Sequence, residues 1–400
     1  MRNSARAFAF IQFGDFSSAN DRILAHLQRQ FPDLDADVID VADFNVVNSS
    51  DALRLLFSVA REYGPSACMT RSRFLSRVVR TAYCFRKIRA RLLQRLSHEQ
   101  YAFTFQTQSL FDASVPGIPH FVYTDHTHLA NLLYPGKAQT PMASPAWRRL
   151  ERSIYGNARL NFTMSSHISR SLSEHYECPR TRIECVHAGS NVPTAGVQDL
   201  GVERFAEKRI LFVGIDWERK GGPVLLEAFR EVRRSHPTAE LIIVGCSPEV
   251  SVPGCRVAGR VPLAEVAAFY RSASVFCLPT TVEPFGFVFL EAFAHGLPIV
   301  ATNIGAIPDF VEDGQSGYVV GCNDVAQLAN RLSNLLADPV RCAAFGARGR
   351  ALVSDRYTWR ATAEKIAGHI KRCIDFDDRP ARIPAATQVA DAILVARIAQ

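Results

Sequence analysis

Short apolar runs recur along this chain, and each is followed by a turn and then by an amphipathic stretch with helical spacing. Strands that alternate with helices in this way form parallel sheets covered by helices, because a parallel crossover needs an intervening helix. The alternation therefore predicts the α/β class and excludes a helical bundle and a β-sandwich. The runs predicted to be strands are Ala7–Phe13, Ala36–Val41, Phe121–Thr124, Leu160–Met164, Arg182–Val186, Arg209–Val213, Leu241–Val244, Val275–Leu278 and Pro298–Ala301.

The chain is long enough for two domains, since it has 400 residues and a domain usually takes about 100–200. Residues 192–206 are rich in Pro, Gly and polar residues, and they lie between a strand and a fresh strand at Ile210. We therefore predict domains at 1–195 and 196–375, each a Rossmann-like unit, which face each other across a cleft. Near the end, the sequence predicts a helix over Arg360–Arg372, a break that begins at Asp375 and a second helix from about Thr387. Helices from about residue 360 are expected to pack back on the first domain.

Composition excludes several classes of protein. The chain has 46 Lys and Arg against 39 Asp and Glu, a net charge of +7, which is low for a dedicated nucleic-acid binder. We find no apolar run of the roughly 18 residues that a membrane helix needs, and the run 7–11 is short for a secretory signal. The ten cysteines show no zinc-site spacing. These features predict a cytoplasmic protein without a metal site.

The stretch from Leu278 to Pro298 predicts a binding site for a phosphorylated sugar. A strand runs into a Pro-containing loop with Glu283, Gly286 lies where a helix begins, and Glu291 lies about one turn inside that helix. The first amide groups of a helix bind phosphate well. Two carboxylates beside them would repel a bare phosphate, but they would accept hydrogen bonds from sugar or ribose hydroxyls. The ligand is therefore expected to carry both hydroxyls and a diphosphate.

A second predicted anion-binding element precedes the stretch from Leu278 to Pro298. A strand ends at Gly214, and the following turn carries Arg219 and Lys220 before two glycines and a helix. Adjacent cations at a helix start fit a diphosphate clamp, although a polar loop with incidental cations has the same composition. The chain lacks both the Gly-x-Gly-x-x-Gly and the Gly-x-x-x-x-Gly-Lys-Ser/Thr patterns, which argues against a nicotinamide dehydrogenase and a P-loop NTPase.

These segments together resemble a known family. Glu283 to Glu291 is similar to the Glu-x7-Glu motif of retaining glycosyltransferases of the GT-B fold, specifically glycosyltransferase family 4. The loop 214–222 and the segments 163–191 and 298–317 are similar to the same family. The resemblance implies a hexosyltransferase that moves a hexose, with retention of configuration, from a UDP-sugar or GDP-mannose to a glycan or lipid-linked acceptor in surface polysaccharide synthesis. It implies no cofactor and no strictly required metal.

The resemblance also implies roles for single residues. Glu291 would bind the ribose hydroxyls and Glu283 the transferred sugar, while Lys220 and Arg219 would neutralise the diphosphate. The other residues implied to contact the donor are Gly14, Gly214, Arg260, Val261, Phe285, Gly286 and Phe287. One departure puts the clamp in doubt, because Ile215 stands where many relatives carry Arg. A catalytically weak nucleotide-sugar-binding protein on the same fold is the alternative; a phosphorylase-like enzyme would need a far longer chain.

In the first half, two turns at strand ends are candidate ligand contacts. Gly14 ends the first strand and is followed by Ser17 and Ser18, and a later strand ends in Asp125-His126-Thr-His128. Ligands of open α/β sheets bind at such carboxyl ends. The family often uses a His in this region to contact the sugar, so we favour His126, with Asp125 and His128 behind it. A purely structural Asp–His cluster is the alternative.

Residues 71–95 contain nine basic residues and no acidic one, with apolar residues at helical spacing. The pattern predicts a basic amphipathic helix or helical pair. A solvated face over the core, attraction to anionic lipid and nucleic-acid binding all fit it. The solvated face is the simplest of these interpretations. As a functional role, contact with anionic lipid at the inner face of a membrane is favoured over nucleic acid, and it would suit a lipid-linked acceptor.

Overall fold

The structure is a computed structural model that describes residues 7–14, 18–96, 101–136, 142–192 and 201–377, except for the side chains of residues 49 and 375–377. In this part of the chain two six-stranded sheets form, and every strand pairing within them is parallel. Helices connect the strands, so the predicted α/β class is confirmed. No helix among the described residues combines the length and the apolar character needed to cross a bilayer.

The first sheet lies in the first half of the chain and has the strand order β2-β1-β3-β4-β5-β6. Its strands are β1 (Ala7–Gln12), β2 (Asp35–Asp40), β3 (Tyr101–Thr107), β4 (His120–Thr124), β5 (Leu160–Thr163) and β6 (Ile183–Cys185). Its helices are α1 (Ala19–Gln30), α2 (Ala52–Tyr63), α3 (Arg71–Val78), α4 (Ala82–Leu96), α5 (Pro145–Asn157) and α6 (Ser166–His175). Short 3-10 turns cover Val41–Phe44, Ser49–Asp51, Pro65–Cys68, His128–Leu133 and Arg180–Arg182.

The second sheet has the order β12-β11-β10-β7-β8-β9, which is the strand order of a Rossmann unit. Its strands are β7 (Arg209–Val213), β8 (Glu240–Val244), β9 (Cys255–Gly259), β10 (Val275–Leu278), β11 (Ile299–Thr302) and β12 (Gly317–Val320). Its helices are α7 (Glu203–Ala206), α8 (Gly222–Ser235), α9 (Leu263–Ser272), α10 (Phe287–Ala294), α11 (Ile307–Phe310), α12 (Val325–Leu336), α13 (Pro339–Arg356) and α14 (Trp359–Asp377).

The last helix returns to the first sheet. On α14 the His369 ring centroid lies 6.0 Å from that of Phe162 on β5, and Lys371 Nζ lies 5.2 Å from the ring centroid of Phe31 after α1. The helix runs to Asp377, so the break predicted at residue 375 is wrong, and the helix predicted from Thr387 lies outside the described residues. The predicted domain boundary at 195/196 also lies outside them and stays a prediction.

The two halves touch through polar contacts at their loops. Ser166 at the start of α6 donates two hydrogen bonds to the Asp309 carboxylate on α11, from its backbone N (2.7 Å) and from Oγ (2.5 Å). Trp359 Nε1 donates to Asn191 Oδ1 at 3.2 Å. The carboxyl ends of both sheets are thereby held near each other.

Three strands were missed by the sequence pattern. β3 lies between β1 and β4 in the sheet, yet it carries the buried polar residues Thr104 and Gln106, which break an apolar run. β9 is an edge strand with exposed side chains, and β12 is short and begins at a glycine.

Candidate functional site

The candidate site lies at the crevice of the second sheet. β7 and β10 are neighbours from which the chain leaves in opposite directions, to β8 and to β11. The loops that follow two such strands diverge and leave a crevice at the carboxyl edge, which is where ligands of open α/β sheets bind. The loop 214–222 follows β7 and the loop 279–286 follows β10.

These two loops are held together by hydrogen bonds to backbone carbonyls. Thr281 N donates to the carbonyl of Arg219 at 2.9 Å, and Arg219 Nη1 donates to the carbonyl of Val282 at 2.9 Å. Gly221 has φ +77°, and a Cβ there would lie 1.9 Å from the Pro279 carbonyl oxygen, so only glycine fits. The loop that carries Lys220 is therefore fixed relative to the loop that carries Glu283.

Lys220 and Glu283 form an ion pair between the two loops. Their side chains are only 11% and 6% exposed. Two opposite charges in such a poorly hydrated place depend on each other, because each one alone would bear a large desolvation cost. The sequence analysis assigned Lys220 to the diphosphate and Glu283 to the transferred sugar. The structure brings the two side chains into direct contact.

The helix α10 begins beside this pair. Gly286 precedes it with φ +94°, a conformation that favours glycine. Glu291 lies on α10, and one of its oxygens, Oε2, accepts a hydrogen bond from the Tyr270 hydroxyl at 3.0 Å. Burial raises the pKa of Glu291, and the hydrogen bond from Tyr270 opposes that rise. Phe285 is buried, with its ring centroid 5.1 Å from that of Phe287.

Tyr270 is a functional candidate that the sequence did not reveal. It lies on α9, and its ring stacks on His295 with centroids 5.1 Å apart. The His295 Nδ1 atom is 2.8 Å from the Glu291 carbonyl oxygen, and burial lowers the pKa of His295. A neutral His295 therefore bonds to the end of α10, and Tyr270 and His295 together hold Glu291 in place. No local sequence signal predicts this contact.

Other residues predicted to contact the donor lie in the loops that follow β7 and β9. Arg219 also pairs with Asp216, with Nε and Oδ2 3.2 Å apart, so its guanidinium is shared between the loop and the Val282 carbonyl. Ile215 is exposed. Gly214 ends β7 and donates to the Val244 carbonyl at 2.9 Å. Arg260 and Val261 follow β9, next to Gly259, whose carbonyl accepts from Gly245 N at 2.8 Å.

The first sheet contributes its own residues at the end of β4. Burial, together with the negative charge of Glu283, raises the pKa of Asp125 to about 7. Burial lowers the pKa of His126 to about 3, so its ring is neutral. The His126 Nε2 atom lies 3.2 Å from Asn131 Nδ2, and its Nδ1 is buried without a partner among the described residues. Because Asn131 Nδ2 can only donate, Nε2 accepts and the proton of the neutral ring lies on Nδ1, which can donate one more hydrogen bond.

His128 faces a different neighbourhood from His126. Its Nε2 accepts a hydrogen bond from Ala143 N at 2.6 Å, its backbone N donates to Glu151 Oε1 at 2.8 Å, and its ring lies 5.5 Å from Trp147. These contacts tie His128 to α5. Of the predicted Asp-His-His group, His128 is therefore the member whose ring is bound to the chain around α5.

Gly14 lies at the carboxyl end of β1, with φ +63°. Its N donates to Asp40 Oδ1 at 2.9 Å and its carbonyl accepts from Asn20 Nδ2 at 3.1 Å. Ser18 precedes α1 without a side-chain capping bond, and Ser17 lies outside the described residues.

Tyr134 is a second candidate that the sequence did not reveal. Burial and the charges of Glu283 and Asp125 raise its pKa. Its hydroxyl is buried and has no hydrogen-bond partner within the described ranges. The phenol ring lies near the loop of Glu283, because a Cβ at Gly305 would be 3.4 Å from Tyr134 Cε1 and 1.9 Å from the Glu283 carbonyl oxygen.

One group of possible metal ligands occurs in the part of the chain that the structure describes. Cys185, His187 and Asp309 offer ligand atoms that all lie within 4.8 Å of one another. Both Asp309 oxygens already accept hydrogen bonds from Ser166. This group lies at the polar contact between the two halves, and it shares no residue with the crevice.

Comparison with known proteins gives a family match in the second half of the chain and several relatives that match part of it. Residues 207–338 match the family "Glycosyl transferases group 1". A GDP-mannose-dependent alpha-(1-6)-phosphatidylinositol monomannoside mannosyltransferase of Mycolicibacterium smegmatis is 36% identical over 37% of this chain and 44% of its own length. A D-inositol 3-phosphate glycosyltransferase of Corynebacterium jeikeium is 31% identical over 62% of this chain and 65% of its own. The chain thus spans less than two thirds of these relatives.

Solved structures with the same architecture cover most of the chain. Anabaena HepE in complex with UDP superposes with a TM-score of 0.62 at 15% identity, over 92% of this chain and 100% of that one. WaaG, a glycosyltransferase involved in lipopolysaccharide biosynthesis, superposes with a TM-score of 0.61 at 15% identity, over 91% and 99%. The predicted GT-B fold, with two Rossmann-like units, is confirmed.

Proposed function

From the match of residues 207–338 to the glycosyl transferases group 1, we infer that the chain belongs to this family, as its resemblance to glycosyltransferase family 4 predicts. From this premise we propose that the chain is a glycosyltransferase that moves a hexose from a nucleoside-diphosphate sugar to a glycan or lipid-linked acceptor, with retention of anomeric configuration. The observation that carries the proposal is the buried Lys220–Glu283 pair at the start of α10, with Glu291 held on the same helix.

Each residue of this arrangement has a task in the proposal. When the donor binds, the ion pair opens. Lys220 then contacts the diphosphate, and Glu283 accepts hydrogen bonds from the sugar hydroxyls. The amides at Phe285, Gly286 and Phe287 add the positive end of the α10 dipole. Glu291 binds the ribose, and Gly214, Arg260 and Val261 line the nucleotide side. Such fixed charges stabilise a departing diphosphate strongly.

Transfer takes place on one face of the sugar. His126 and Gly14 contact the donor from the first sheet, and the leaving diphosphate oxygen takes the proton of the acceptor hydroxyl, so no protein nucleophile is required. Arg219 holds the loop of Glu283 and lends part of its charge to the diphosphate. Because these cations and the helix start supply the positive charge, we propose that the reaction needs no metal ion or other cofactor.

The relatives narrow the choice of donor and acceptor. One is named as GDP-mannose-dependent, and solved neighbours were crystallised with UDP, so UDP-sugars and GDP-mannose are the donors we propose to test first. The acceptors in the relatives' names are an inositol phosphate and a phosphatidylinositol mannoside. A role in surface polysaccharide synthesis on the cytoplasmic side of a membrane is consistent with such acceptors.

We propose that the chain contacts this membrane through α2 and α3 rather than through the whole basic segment. Three of the predicted basic residues are paired with carboxylates, Lys87 with Asp51, Arg89 with Asp112 and Arg95 with Asp37. By contrast, Leu53, Phe57 and Met69 are 83%, 67% and 76% exposed. Exposed apolar side chains beside arginines are typical of a surface that enters the lipid headgroup region.

A donor screen tests the function. The purified chain is incubated with a panel of nucleotide sugars and an acceptor extract, and products are detected by mass spectrometry; NMR of the new linkage gives its anomeric configuration. Transfer from one donor that is lost in Glu283→Gln supports the proposal. Stabilisation by UDP or GDP in a thermal shift without any transfer would instead favour the alternative, a catalytically weak nucleotide-sugar-binding protein.

A further inference from the structure

A groove separate from the donor crevice lies between α2, α3 and the beginning of α5. Its volume is about 610 Å³, which is large enough for a small phosphorylated headgroup. The residues that line it are Glu62, Tyr63, Ser66, Ala67, Arg73, Ser76, Arg77, Met142, Ala143, Ser144, Pro145 and Arg148. Its lining combines three guanidinium groups with hydroxyl groups and one carboxylate.

The single carboxylate of the lining does not neutralise the arginines. Glu62 accepts a hydrogen bond from Ala82 N at 2.9 Å with Oε1, and its Oε2 accepts one from the hydroxyl of Ser144. Both oxygens of Glu62 are therefore occupied by neutral donors that fix the start of α4 and of α5. The groove keeps an excess of positive charge.

Two of the three arginines lie apart from the carboxylates. Neither Arg73 nor Arg148 has a carboxylate within ion-pair distance in the part of the chain that the structure describes. The Arg148 Nε atom is buried and has no hydrogen-bond partner there. A buried guanidinium nitrogen without an acceptor is costly, and an anion in the groove would satisfy it. Arg77 stacks over the Tyr63 ring at 5.1 Å, which orients its guanidinium.

The groove adjoins the loop that follows β4. Ala143, in the groove wall, donates to the ring of His128. Burial, followed by the charges of Arg80, Arg148 and Arg77, lowers the pKa of His128 to about 4. The groove wall is therefore joined through His128 to the loop that carries Asp125 and His126.

We propose that this groove binds a phosphate group of the acceptor. Guanidinium groups bind phosphate oxygens in pairs, with charge-assisted hydrogen bonds, and Arg73 and Arg148 approach from two helices. The phosphate would anchor the acceptor in the first half of the chain while its hydroxyl reaches the crevice. This inference rests on the proposed function, and it names the acceptor class as phosphorylated, either as a soluble phosphomonoester or as a phospholipid headgroup.

Phosphate binding is tested first, without any transfer reaction. Inorganic phosphate is titrated at constant ionic strength and followed by ³¹P line broadening, in a Lys220→Gln background so that the donor crevice contributes little. The double variant Arg73→Gln/Arg148→Gln is expected to lose at least about tenfold in phosphate affinity. The matched control is Arg230→Gln, which removes an exposed arginine from α8 and is expected to change nothing.

An unchanged phosphate affinity in the double variant would overturn the inference, and so would an equal loss in the control. Thermal melts of both variants verify folding; if the double variant does not fold, Arg73→Gln alone, at an exposed helix position, provides the test. Restoring charge with Arg73→Lys is expected to recover part of the affinity.

Two further arms identify the source of the phosphate. If the acceptor is soluble, glycerol phosphate is expected to compete with inorganic phosphate. If the acceptor is a lipid, vesicles with about 30% phosphatidylglycerol are expected to retain the wild-type chain more strongly than the double variant, and neutral vesicles are not. Either result supports a phosphate site. Because none of these measurements needs transfer, their failure is distinguishable from failure of the proposed function, which the donor screen decides.

Discussion

Lys220 and Glu283 form a buried ion pair that joins the loop after β7 to the loop after β10. Replacing one partner, by Lys220→Met or Glu283→Gln, leaves the other charge buried and unpaired, which is expected to cost about 3–5 kcal/mol of unfolding free energy. The double variant is expected to lose less than the sum. Denaturant unfolding of the four proteins measures the coupling, and simple additivity would contradict the pairing.

The same variants separate stability from turnover. Glu283→Gln is expected to lower kcat at least about a hundredfold, in the range found when one stabilising group of an active site is removed. The double variant should regain stability without regaining activity, because the sugar and diphosphate contacts are both lost. Recovery of turnover together with stability would show that the pair is only structural.

A second prediction concerns Tyr270, which holds Glu291 by a hydrogen bond. Tyr270→Phe removes the bond that opposes the effect of burial, so the pKa of Glu291 rises further and its carboxylate is lost at a higher pH. The donor KM is expected to rise by about five- to tenfold, the worth of one hydrogen bond, and more at pH 6 than at pH 8. The control is Tyr318→Phe on β12, which leaves the donor KM unchanged; a KM shift independent of pH would contradict the explanation.

Sequence reasoning succeeded where one strand or one helix start decides the outcome. β7 and β10 are predicted with their observed bounds, because buried parallel strands read as continuous apolar runs. The start of α10 follows from Gly286, whereas the direct contact of Lys220 with Glu283 was not predicted, because it joins two loops that are 63 residues apart in the chain. Family resemblance then supplied roles that composition and spacing alone leave open.

Contacts between distant segments account for what was missed. Thr104 and Gln106 look like solvent-facing residues, but Gln106 Nε2 donates to the Phe111 carbonyl at 2.7 Å and Thr104 Oγ1 lies 2.7 Å from His120 Nδ1, so β3 can be buried. The basic segment looks unpaired because its carboxylate partners, such as Asp51 and Asp112, lie far away in sequence. A linear pattern contains neither kind of information.

A third prediction follows from the raised pKa of Asp125, about 7 in the folded protein against about 3.9 in an unfolded chain. Between these values only the folded state keeps the proton, so this stabilisation is complete below about pH 4 and is lost as the pH rises through about 7. Asp125→Asn removes the titration. The difference in unfolding free energy between this variant and wild type is expected to grow in favour of the variant as the pH rises from 4 to 8. For the exposed control Asp33→Asn the same difference is expected to stay constant over this range.

A fourth prediction concerns the Tyr134 hydroxyl, which is buried without a partner among the described residues. Because an unsatisfied hydroxyl contributes nothing to folding, Tyr134→Phe is expected to leave the free energy of unfolding unchanged or to raise it by up to about 1 kcal/mol. If the hydroxyl bonds to the donor, the donor KM rises several-fold at the same time. A destabilised variant with an unchanged KM would show that Tyr134 has a structural partner instead.

The last prediction concerns the exposed apolar side chains of α2. Leu53→Gln/Phe57→Gln replaces two side chains that are expected to enter the headgroup region, where each buried large apolar side chain contributes about 1.5–3 kcal/mol. Co-sedimentation with vesicles that contain phosphatidylglycerol is therefore expected to fall at least about tenfold, while the donor KM stays constant. The matched control is Leu263→Gln. Leu263 is 79% exposed, but it lies on α9, a helix that accompanies the second sheet. If both variants reduce sedimentation equally, attachment is a general surface effect and the assignment of the face to α2 and α3 is wrong.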